Sequence, residues 1–320
     1  MPVKVDVKII GTYKKLKDKS AEVGGLPRLL NEDPHRFGLL EETDQMDLKK
    51  GWEEFNDEGY GDTFDSLFDY IRKTSKKRTS LEKALGTDFV LTRRILLLFA
   101  KKSVYKTFYV IRAVRRNGVI FLCDEVSENK GPSVMRVYGH KFEQYMTLNR
   151  VGEPYDEDAP VVNSEYCRAV FQTSLACGNE EIKVMYSAVV KAEDKGKGKV
   201  VAINETNLDL KTWLYKRSLG VYLQSYFGGS SYIVKGTTNN DNVVYKVDKI
   251  PTEEIPKMNV FWKPQACFEK VFDILQEIKT RLENDDDAIV IRSVGWDISY
   301  EPEDARKCNF VDPEFLRKFH

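Results

Sequence analysis

The chain has 320 residues, of which 42% are hydrophobic and 12% aromatic, and its 50 Lys and Arg residues balance 50 Asp and Glu residues. This apolar content is enough for a packed core and excludes a wholly disordered chain. Because the formal net charge is zero, bulk electrostatics predict no polyanionic partner. Binding to nucleic acid would require a local basic groove.

No apolar run reaches the ~18–20 residues that a membrane-spanning helix needs. Residues 1–8 alternate charged and apolar side chains and lack the apolar core of a secretory signal. We therefore expect a soluble intracellular protein of the nucleus, the cytoplasm or both, which is neither secreted nor bound to a membrane. The five cysteines include no C-x-x-C pair and the three histidines are scattered, so we expect no zinc site and no disulfide framework.

The first third of the chain changes from turn-rich to regular patterns. Residues 1–62 predict an irregular N-terminal portion that packs on the core. Apolar residues at helical spacing predict a helix over residues 64–71, and a second helix is predicted over residues 79–102. The β-rich runs 108–114 and 119–126 flank Asn117-Gly118. This dipeptide favours a type I′ turn, so the two runs predict a hairpin.

The remaining elements alternate between helices and strands. Helices are predicted from about residue 133, over residues 208–227 and over residues 265–282. Strands are predicted over residues 182–190, 199–203, 232–235, 243–247 and 288–291. This order predicts a single large α/β (α+β) domain over residues 1–320, with mixed, hairpin-rich sheets flanked by helices.

Several short segments carry a resemblance to a known family. They are Gly139-His-Lys-Phe-Glu143, Thr92-Arg93-Arg94, the hairpin at 105–126 and Val221-Tyr-Leu-Gln224-Ser225. With them, the sequence from about residue 65 to its end resembles the DXO-type family of decapping exoribonucleases and RNA 5′-end pyrophosphohydrolases. His140 departs from the hydrophobic residue that the family's second motif has at this position. The resemblance implies a core remotely like that of restriction nucleases.

The resemblance also implies metal-assisted chemistry at an RNA 5′ end. Two Mg²⁺ or Mn²⁺ ions held by carboxylates neutralise the charge that develops during phosphoryl chemistry. The family supplies these carboxylates from the Glu of its second motif, a Glu-hydrophobic-Asp strand and a Glu-hydrophobic-Lys strand. Carried over to this sequence, Glu143 is a metal ligand and catalytic residue, and Arg94 and Gln224 are further catalytic candidates.

Two of the three acidic motifs are altered in this sequence. The Glu-hydrophobic-Asp motif corresponds to Val189-Val190-Lys191. The Glu-hydrophobic-Lys motif becomes either Ala202 and Asn204 or, one residue further, Ile203 and Glu205. Glu143 therefore remains, with Glu205 as the candidate second metal ligand. We hypothesise that the Lys191 ammonium pairs with Glu143 in the place of a metal ion.

Each candidate residue also has an ordinary structural interpretation. Glu143 would otherwise be a rim glutamate, and Gln224 a partner in an interhelical hydrogen bond. Arg94 is either held in a cleft or extends from a core helix towards solvent, and Lys191 is either a salt-bridge partner or a strand-end lysine. The cations that we predict to contact RNA are Lys141, Lys191, Lys216 and Arg217.

Two functions from different classes follow. The first is a catalytically impaired relative that binds RNA 5′ ends or a protein partner such as a 5′-to-3′ exoribonuclease, with no tightly bound cofactor and no DNA ligand. The second is an active decapping enzyme, pyrophosphohydrolase or 5′-3′ exoribonuclease that acts on incompletely capped or NAD-capped RNA. It would use Mg²⁺ or Mn²⁺ in a remodelled site drawing on Glu143, Glu205 and either Glu193 or Asp194. A chance resemblance in an unrelated α/β protein is the third interpretation.

Overall fold

Two β-sheets organise the computed structural model, which describes residues 1–53, 55, 62–76, 78–125, 134–149, 151–161, 163 and 166–319. The strands are β1 Lys4–Lys15, β2 Ala21–Val23, β3 Arg28–Leu29, β4 Gly38–Leu39, β5 Met46–Asp47, β6 Phe89–Val90, β7 Thr107–Arg116, β8 Val119–Asp124, β9 Tyr166–Cys177, β10 Glu180–Val189, β11 Ala192–Glu193, β12 Val200–Thr206, β13 Tyr232–Thr238, β14 Val243–Pro251, β15 Ala288–Gly295 and β16 Asp297–Pro302. The α-helices are α1 Asp65–Thr74, α2 Leu81–Leu85, α3 Arg93–Lys101, α4 Val134–Tyr145, α5 Leu210–Lys216, α6 Ser218–Tyr226, α7 Pro264–Arg281 and α8 Pro313–Leu316.

The larger sheet has nine strands in the order β16-β15-β7-β8-β6-β10-β9-β1-β2. Its short strand β6 runs parallel to both of its neighbours, β8 and β10, whereas the other pairings are antiparallel. The smaller sheet has the order β3-β11-β12-β13-β14-β4, with β5 also paired to β14. The mixed α/β fold predicted from the sequence is therefore confirmed.

The elements with strong local signals are where the sequence predicts them. Asn117 and Gly118 both have positive φ, 47° and 82°, as the predicted hairpin between β7 and β8 requires. Helices α1 and α7, strands β10, β12 and β15, and the β13–β14 hairpin also overlap their predictions. The predicted end of the β8 run at Val126 and the predicted helix start at 133 lie outside the described residues.

Two predicted helices are each divided in two. The helix predicted over residues 79–102 is wrong, because α2 ends at Gly86, which has a left-handed φ of 56°, and β6 then enters the large sheet. The helix predicted over residues 208–227 is interrupted at Arg217 (φ −121°, ψ −27°), which caps α5 and precedes α6. These interruptions leave two charged residues near the pocket described below. They are Arg93, at the start of α3, and Arg217, between α5 and α6.

The N-terminal portion is more regular than the sequence analysis predicts. Strand β1 is twelve residues long and pairs with β9 from Lys4 opposite Ala176 to Lys15 opposite Tyr166. The alternation of Lys4, Asp6 and Lys8 with valines at positions 5 and 7 is the period-two pattern of a half-buried strand. Only the portion after β2 is built mainly from short strands and 3-10 helices.

Helices pack on both sheets and form the walls of the site. Helix α3 packs against α6 and α7 over the large sheet, and α4 packs against β12 of the small sheet. The ring of Phe142 on α4 is fully buried and lies directly over Gly236 of β13. Among the described residues, no helix is both long and apolar enough to span a membrane.

The α4–β13 contact gives a test of the packing. A Cβ added at Gly236 would lie 2.6 Å from Cζ of Phe142, so we expect Gly236→Ala to lower the free energy of unfolding by about 1–3 kcal/mol through overpacking. At Gly139 an added Cβ would meet only a Glu205 oxygen at 3.9 Å, so Gly139→Ala should stabilise α4 by about 0.5–1 kcal/mol. Chemical denaturation measures both, and equal effects of the two variants would contradict this packing.

Candidate functional site

A pocket of about 470 Å³ lies between α4, the end of β10 and β12. Glu143 of α4, Lys191 and Asn204 are among its lining residues. Val189 and residues 200–203 of β12 line it as well, and Val201 and Ile203 among them are buried. Because side chains alternate along a strand, Glu205 shares a face of β12 with Val201 and Ile203, whereas Ala202 and Asn204 share the other.

The centre of this pocket holds a carboxylate next to an ammonium. Lys191 Nζ lies 3.6 Å from Glu143 Oε2, with side-chain exposures of 30% and 11%. Lys191 Nζ also donates a hydrogen bond to the Ile203 carbonyl oxygen at 2.8 Å. His140 Nδ1 is 4.0 Å from the same Glu143 oxygen. The predicted pairing of Lys191 with Glu143 is thus present.

A second carboxylate, Glu205, lies beside this pair. An oxygen of Glu205 is 3.9 Å from the position of a Cβ at Gly139, so the glycine gives the carboxylate room against α4. Burial raises the pKa of Glu205, while the positive charges of Lys191 and Arg217 act in the opposite direction. The Lys191 ammonium therefore acts electrostatically on both acidic groups.

These groups do not fit a pair of divalent cations. In the described part of the chain, no three His, Cys, Asp or Glu side chains come together as a candidate ion site. Asp194, a ligand in the remodelled-site alternative, accepts hydrogen bonds from Gly196 N in its own turn and from the Tyr232 hydroxyl of β13. Neither Asp194 nor Glu193 is among the described lining residues of the pocket. Two carboxylates and an ammonium leave no closed set of oxygen ligands.

Aromatic and polar side chains also line the pocket. Tyr155 and Tyr166 line it, and the Arg28 guanidinium lies over the Tyr155 ring at 5.4 Å from the centroid. Gln144 of α4 and Asn163 are among its lining residues too. Aromatic faces and amides of this kind can stack against a planar ring and donate or accept hydrogen bonds at its edge.

Lys141 does not take the role that the sequence analysis predicts. Its side chain is only 1% exposed, and Nζ donates to Gln144 Oε1 at 2.9 Å and to the carbonyl oxygens of Glu157 and Ala159. The prediction of an RNA contact is therefore wrong, because the donors of the ammonium are directed into the protein. Lys141 instead attaches the loop around residues 156–160, which lines the pocket, to α4.

Adjacent arginines at the start of α3 have different environments. Arg94, the predicted catalytic candidate, is 62% exposed and its Nε is 2.6 Å from Asp124 Oδ2. It lines a second pocket and not the first. Arg93 lines both pockets and donates from Nη1 to the Gln224 carbonyl oxygen at 3.2 Å. Burial lowers the pKa of Arg93 to about 10, so it remains charged at neutral pH.

The remaining predicted residues lie on α5 and α6. Gln224 is exposed and lines both pockets. Arg217, at the junction of the two helices, is exposed, and its charge acts on both Glu205 and Lys101. Lys216 is exposed in the last turn of α5 and is not a lining residue of either described pocket. The fold thus brings together Glu143, Lys191 and Gln224 and leaves Lys216 outside.

Together, the two mixed sheets and a pocket with an α4 glutamate define a nuclease-like α/β protein. Residues 28–317 match the family described as RAI1 like PD-(D/E)XK nuclease. The chain therefore belongs to this nuclease family, and the DXO-type resemblance inferred from the motifs is confirmed.

Curated relatives agree with this assignment. The chain is 28% identical over 298 residues to the decapping nuclease dom-3 of Caenorhabditis elegans. The alignment covers 86% of this chain and 75% of the relative. It is 24% identical over 251 residues to the decapping and exoribonuclease protein Rai1 of Drosophila melanogaster, with 70% and 65% of the two chains covered.

Solved structures share the fold at lower identity. Rai1 of Candida albicans, solved in complex with pU5 and Mn²⁺, aligns with a TM-score of 0.73 at 15% identity over 99% of this chain and 95% of that one. Rai1 of Scheffersomyces stipitis aligns with a TM-score of 0.76 at 14% identity over 98% and 96%. Dxo1 of K. lactis, solved with manganese, has a TM-score of 0.64 at 14% identity over 94% and 90%.

The buried ammonium of Lys141 can be distinguished from a surface cation by stability. We expect Lys141→Met to lower the free energy of unfolding by about 1–3 kcal/mol, because it leaves buried acceptors without a donor. The matched variant Lys216→Met, at an exposed position, should change it by less than about 0.5 kcal/mol. Denaturant unfolding measures both. An unchanged stability of Lys141→Met would show that its hydrogen bonds contribute nothing.

Proposed function

We propose that this chain is a catalytically impaired member of its nuclease family that binds RNA 5′ ends without hydrolysing them. The observation that carries the proposal is the Lys191 ammonium, 3.6 Å from Glu143 Oε2, at the place where the family pattern has a metal-binding carboxylate. The role implied is one in RNA 5′-end quality control, exerted through binding.

Electrostatics favour the loss of metal-assisted chemistry. Two unit charges 4 Å apart interact by about 4 kcal/mol at an effective dielectric constant near 20, and a dication near an ammonium is repelled about twice as strongly. Lys191 is held in position by both Glu143 and the Ile203 carbonyl, so it cannot turn away at low cost. Without bound dications, the pocket loses both the activation of water and the charge stabilisation that such ions supply.

The composition of the pocket favours a nucleotide as ligand. Its volume of about 470 Å³ lies in the range typical of small-molecule sites. Tyr155 and Tyr166 offer aromatic faces, and Arg93 adds a positive charge next to them. Bases stack on such aromatic faces, and cations bind the backbone phosphates. A related protein of the same fold was solved with the RNA oligonucleotide pU5, which supports RNA over an unrelated ligand.

An activity and binding experiment tests the proposal. Purified protein is incubated with 5′-triphosphate, incompletely capped and NAD-capped RNA in the presence of Mn²⁺, and we expect no product above that of a Glu143→Gln control. The same RNAs should bind in EDTA with an affinity that decreases as salt increases, by a log–log slope of ~0.7 for each phosphate contact. Tyr155→Ala should weaken binding by about tenfold or more through lost stacking, and Tyr155→Phe should not.

Two outcomes would contradict the proposal in different ways. Metal-dependent turnover that Glu143→Gln abolishes would establish the active-enzyme alternative. Absence of RNA binding at low salt, with the protein folded, would leave a protein partner as the ligand of this surface.

The altered motif can also be reversed. The double variant Val189→Glu, Lys191→Asp adds two carboxylates on one face of the chain opposite Glu143, and oxygen-rich clusters of this kind bind Mn²⁺. We expect its Mn²⁺ affinity, measured by titration calorimetry or electron paramagnetic resonance, to exceed that of the unmodified protein at least tenfold. Mn²⁺ should also raise its melting temperature.

The control for this reversal is Val189→Gln, Lys191→Asn, which has nearly the same size and no new charge. Equal Mn²⁺ binding by the two double variants would show that the added carboxylates do not restore a metal site in the pocket.

A further inference from the structure

A second pocket of about 450 Å³ lies along the first turns of α3, next to the pocket described above. Arg93, Val189 and Gln224 line both pockets, so the two spaces adjoin. We call the second one the basic pocket, because Arg93, Arg94, Lys101 and Arg168 are among its lining residues. None of the features above explains why these cations are gathered there.

Only half of this positive charge is neutralised. Arg94 pairs with Asp124 at 2.6 Å, and Arg168 Nη1 pairs with Asp62 Oδ2 at 2.9 Å. Within the described part of the chain, the Arg93 guanidinium donates only to a carbonyl oxygen, and the Lys101 ammonium has neither a hydrogen bond nor an ion pair. The basic pocket therefore has a surplus of two positive charges.

Lys101 is kept in this unfavourable environment by the packing of α3 on α6. Its Nζ lies 3.5 Å from the position of a Cβ at Gly220, so the ammonium rests against the backbone of α6. Burial lowers the pKa of Lys101, and the positive charges of Arg94 and Arg217 lower it further. Gathering like charges away from water costs free energy unless an anion joins them.

The start of α3 adds unused hydrogen-bond donors to the same space. This nine-residue helix begins with Arg93-Arg94, has no acidic residue in its first turn, and receives no side-chain hydrogen bond from its N-cap residue Thr92. Cations at the positive end of a helix dipole are unfavourable, whereas an anion is favourable. Thr92 Oγ1 and Arg168 Nε are buried without a hydrogen-bond partner, and both residues line the basic pocket.

We propose that the basic pocket binds the 5′-terminal phosphate of the RNA ligand through Arg93 and Lys101, without a metal ion. The assignment rests on the proposed function, since it places the terminal nucleoside in the first pocket and its phosphate in the second, with Arg93 and Gln224 between them. A terminal phosphate monoester carries about −1.5 to −2 charge at pH 7, which matches the two unneutralised cations. An internal phosphodiester, with a single charge, matches them less well.

The test compares two forms of one five-nucleotide oligouridylate, with a 5′-monophosphate or a 5′-hydroxyl, by fluorescence anisotropy in EDTA. We expect the phosphorylated form to bind about tenfold to a hundredfold more tightly, as for charge-assisted hydrogen bonds. Lys101→Met and, separately, Arg93→Gln should remove most of this preference, and Lys101→Met should retain the binding of the 5′-hydroxyl form. Lys83→Met, at an exposed position of α2, makes the same chemical change elsewhere and should keep the preference.

Folding of the variants is checked by thermal melting. Lys101→Met removes like-charge repulsion and should leave the melting temperature unchanged or higher, and Arg93→Gln gives an independent reading if one variant fails to fold. Inorganic phosphate at millimolar concentration should reduce the preference for the 5′-phosphate without displacing the 5′-hydroxyl form.

The possible results separate this inference from the function on which it rests. Equal binding of the two oligonucleotides would overturn the phosphate assignment and leave RNA binding intact. A preference that survives in both Lys101→Met and Arg93→Gln would place the phosphate elsewhere. Failure of both oligonucleotides to bind at low salt would overturn the proposed function and, with it, the phosphate assignment.

Discussion

A buried carboxylate that is paired with an ammonium determines what the central pocket can bind. Glu143 is 11% exposed, and a negative charge at such a site needs a nearby positive charge. In the family pattern, dications supply that charge and also activate water. In this chain Lys191 supplies it, and an ammonium has no exchangeable coordination position and does not act as a Lewis acid. On the proposal of an impaired nuclease, Lys191 therefore balances the charge of Glu143 without supplying the chemistry of the ions.

The fold is compatible with this change because the backbone fixes where the pocket residues lie and does not determine which side chains stand there. TM-scores of 0.73 and 0.76 at 15% and 14% identity show that the sheets superpose although most side chains differ. The pocket is still lined by Glu143 of α4, by Val189 and Lys191, and by Ala202 and Asn204 of β12. Fold membership alone therefore does not establish activity, which depends on the residues at these positions.

Local signals in the sequence predicted much of the fold, and tertiary pairing explains most of the rest. Asn117-Gly118 predicted its hairpin because the turn needs positive φ at both residues. Strand β6 was missed because its two residues become a strand only by pairing with β8 and β10. In the site, the Glu143–Lys191 pair followed from the motif pattern. Arg93 and Lys141 could not be assigned, because the rotation of α3 and α4 about their axes decides which residue faces the pocket.

The altered motif also explains how an anionic ligand could be retained without metal ions. The carboxylates of the family pattern would repel a phosphate unless dications outweighed them. Here Val189 and Lys191 stand at the positions of the Glu-hydrophobic-Asp carboxylates, and Glu143 and Glu205 are the acidic side chains that remain at the pair. The loss of acidic side chains and the gain of an ammonium make the local potential more positive, as bound dications would. If Arg93 and Lys101 of the adjoining pocket bind a phosphate as proposed, that binding needs no metal ion, whereas cleavage by the metal-assisted route of the family pattern still needs one.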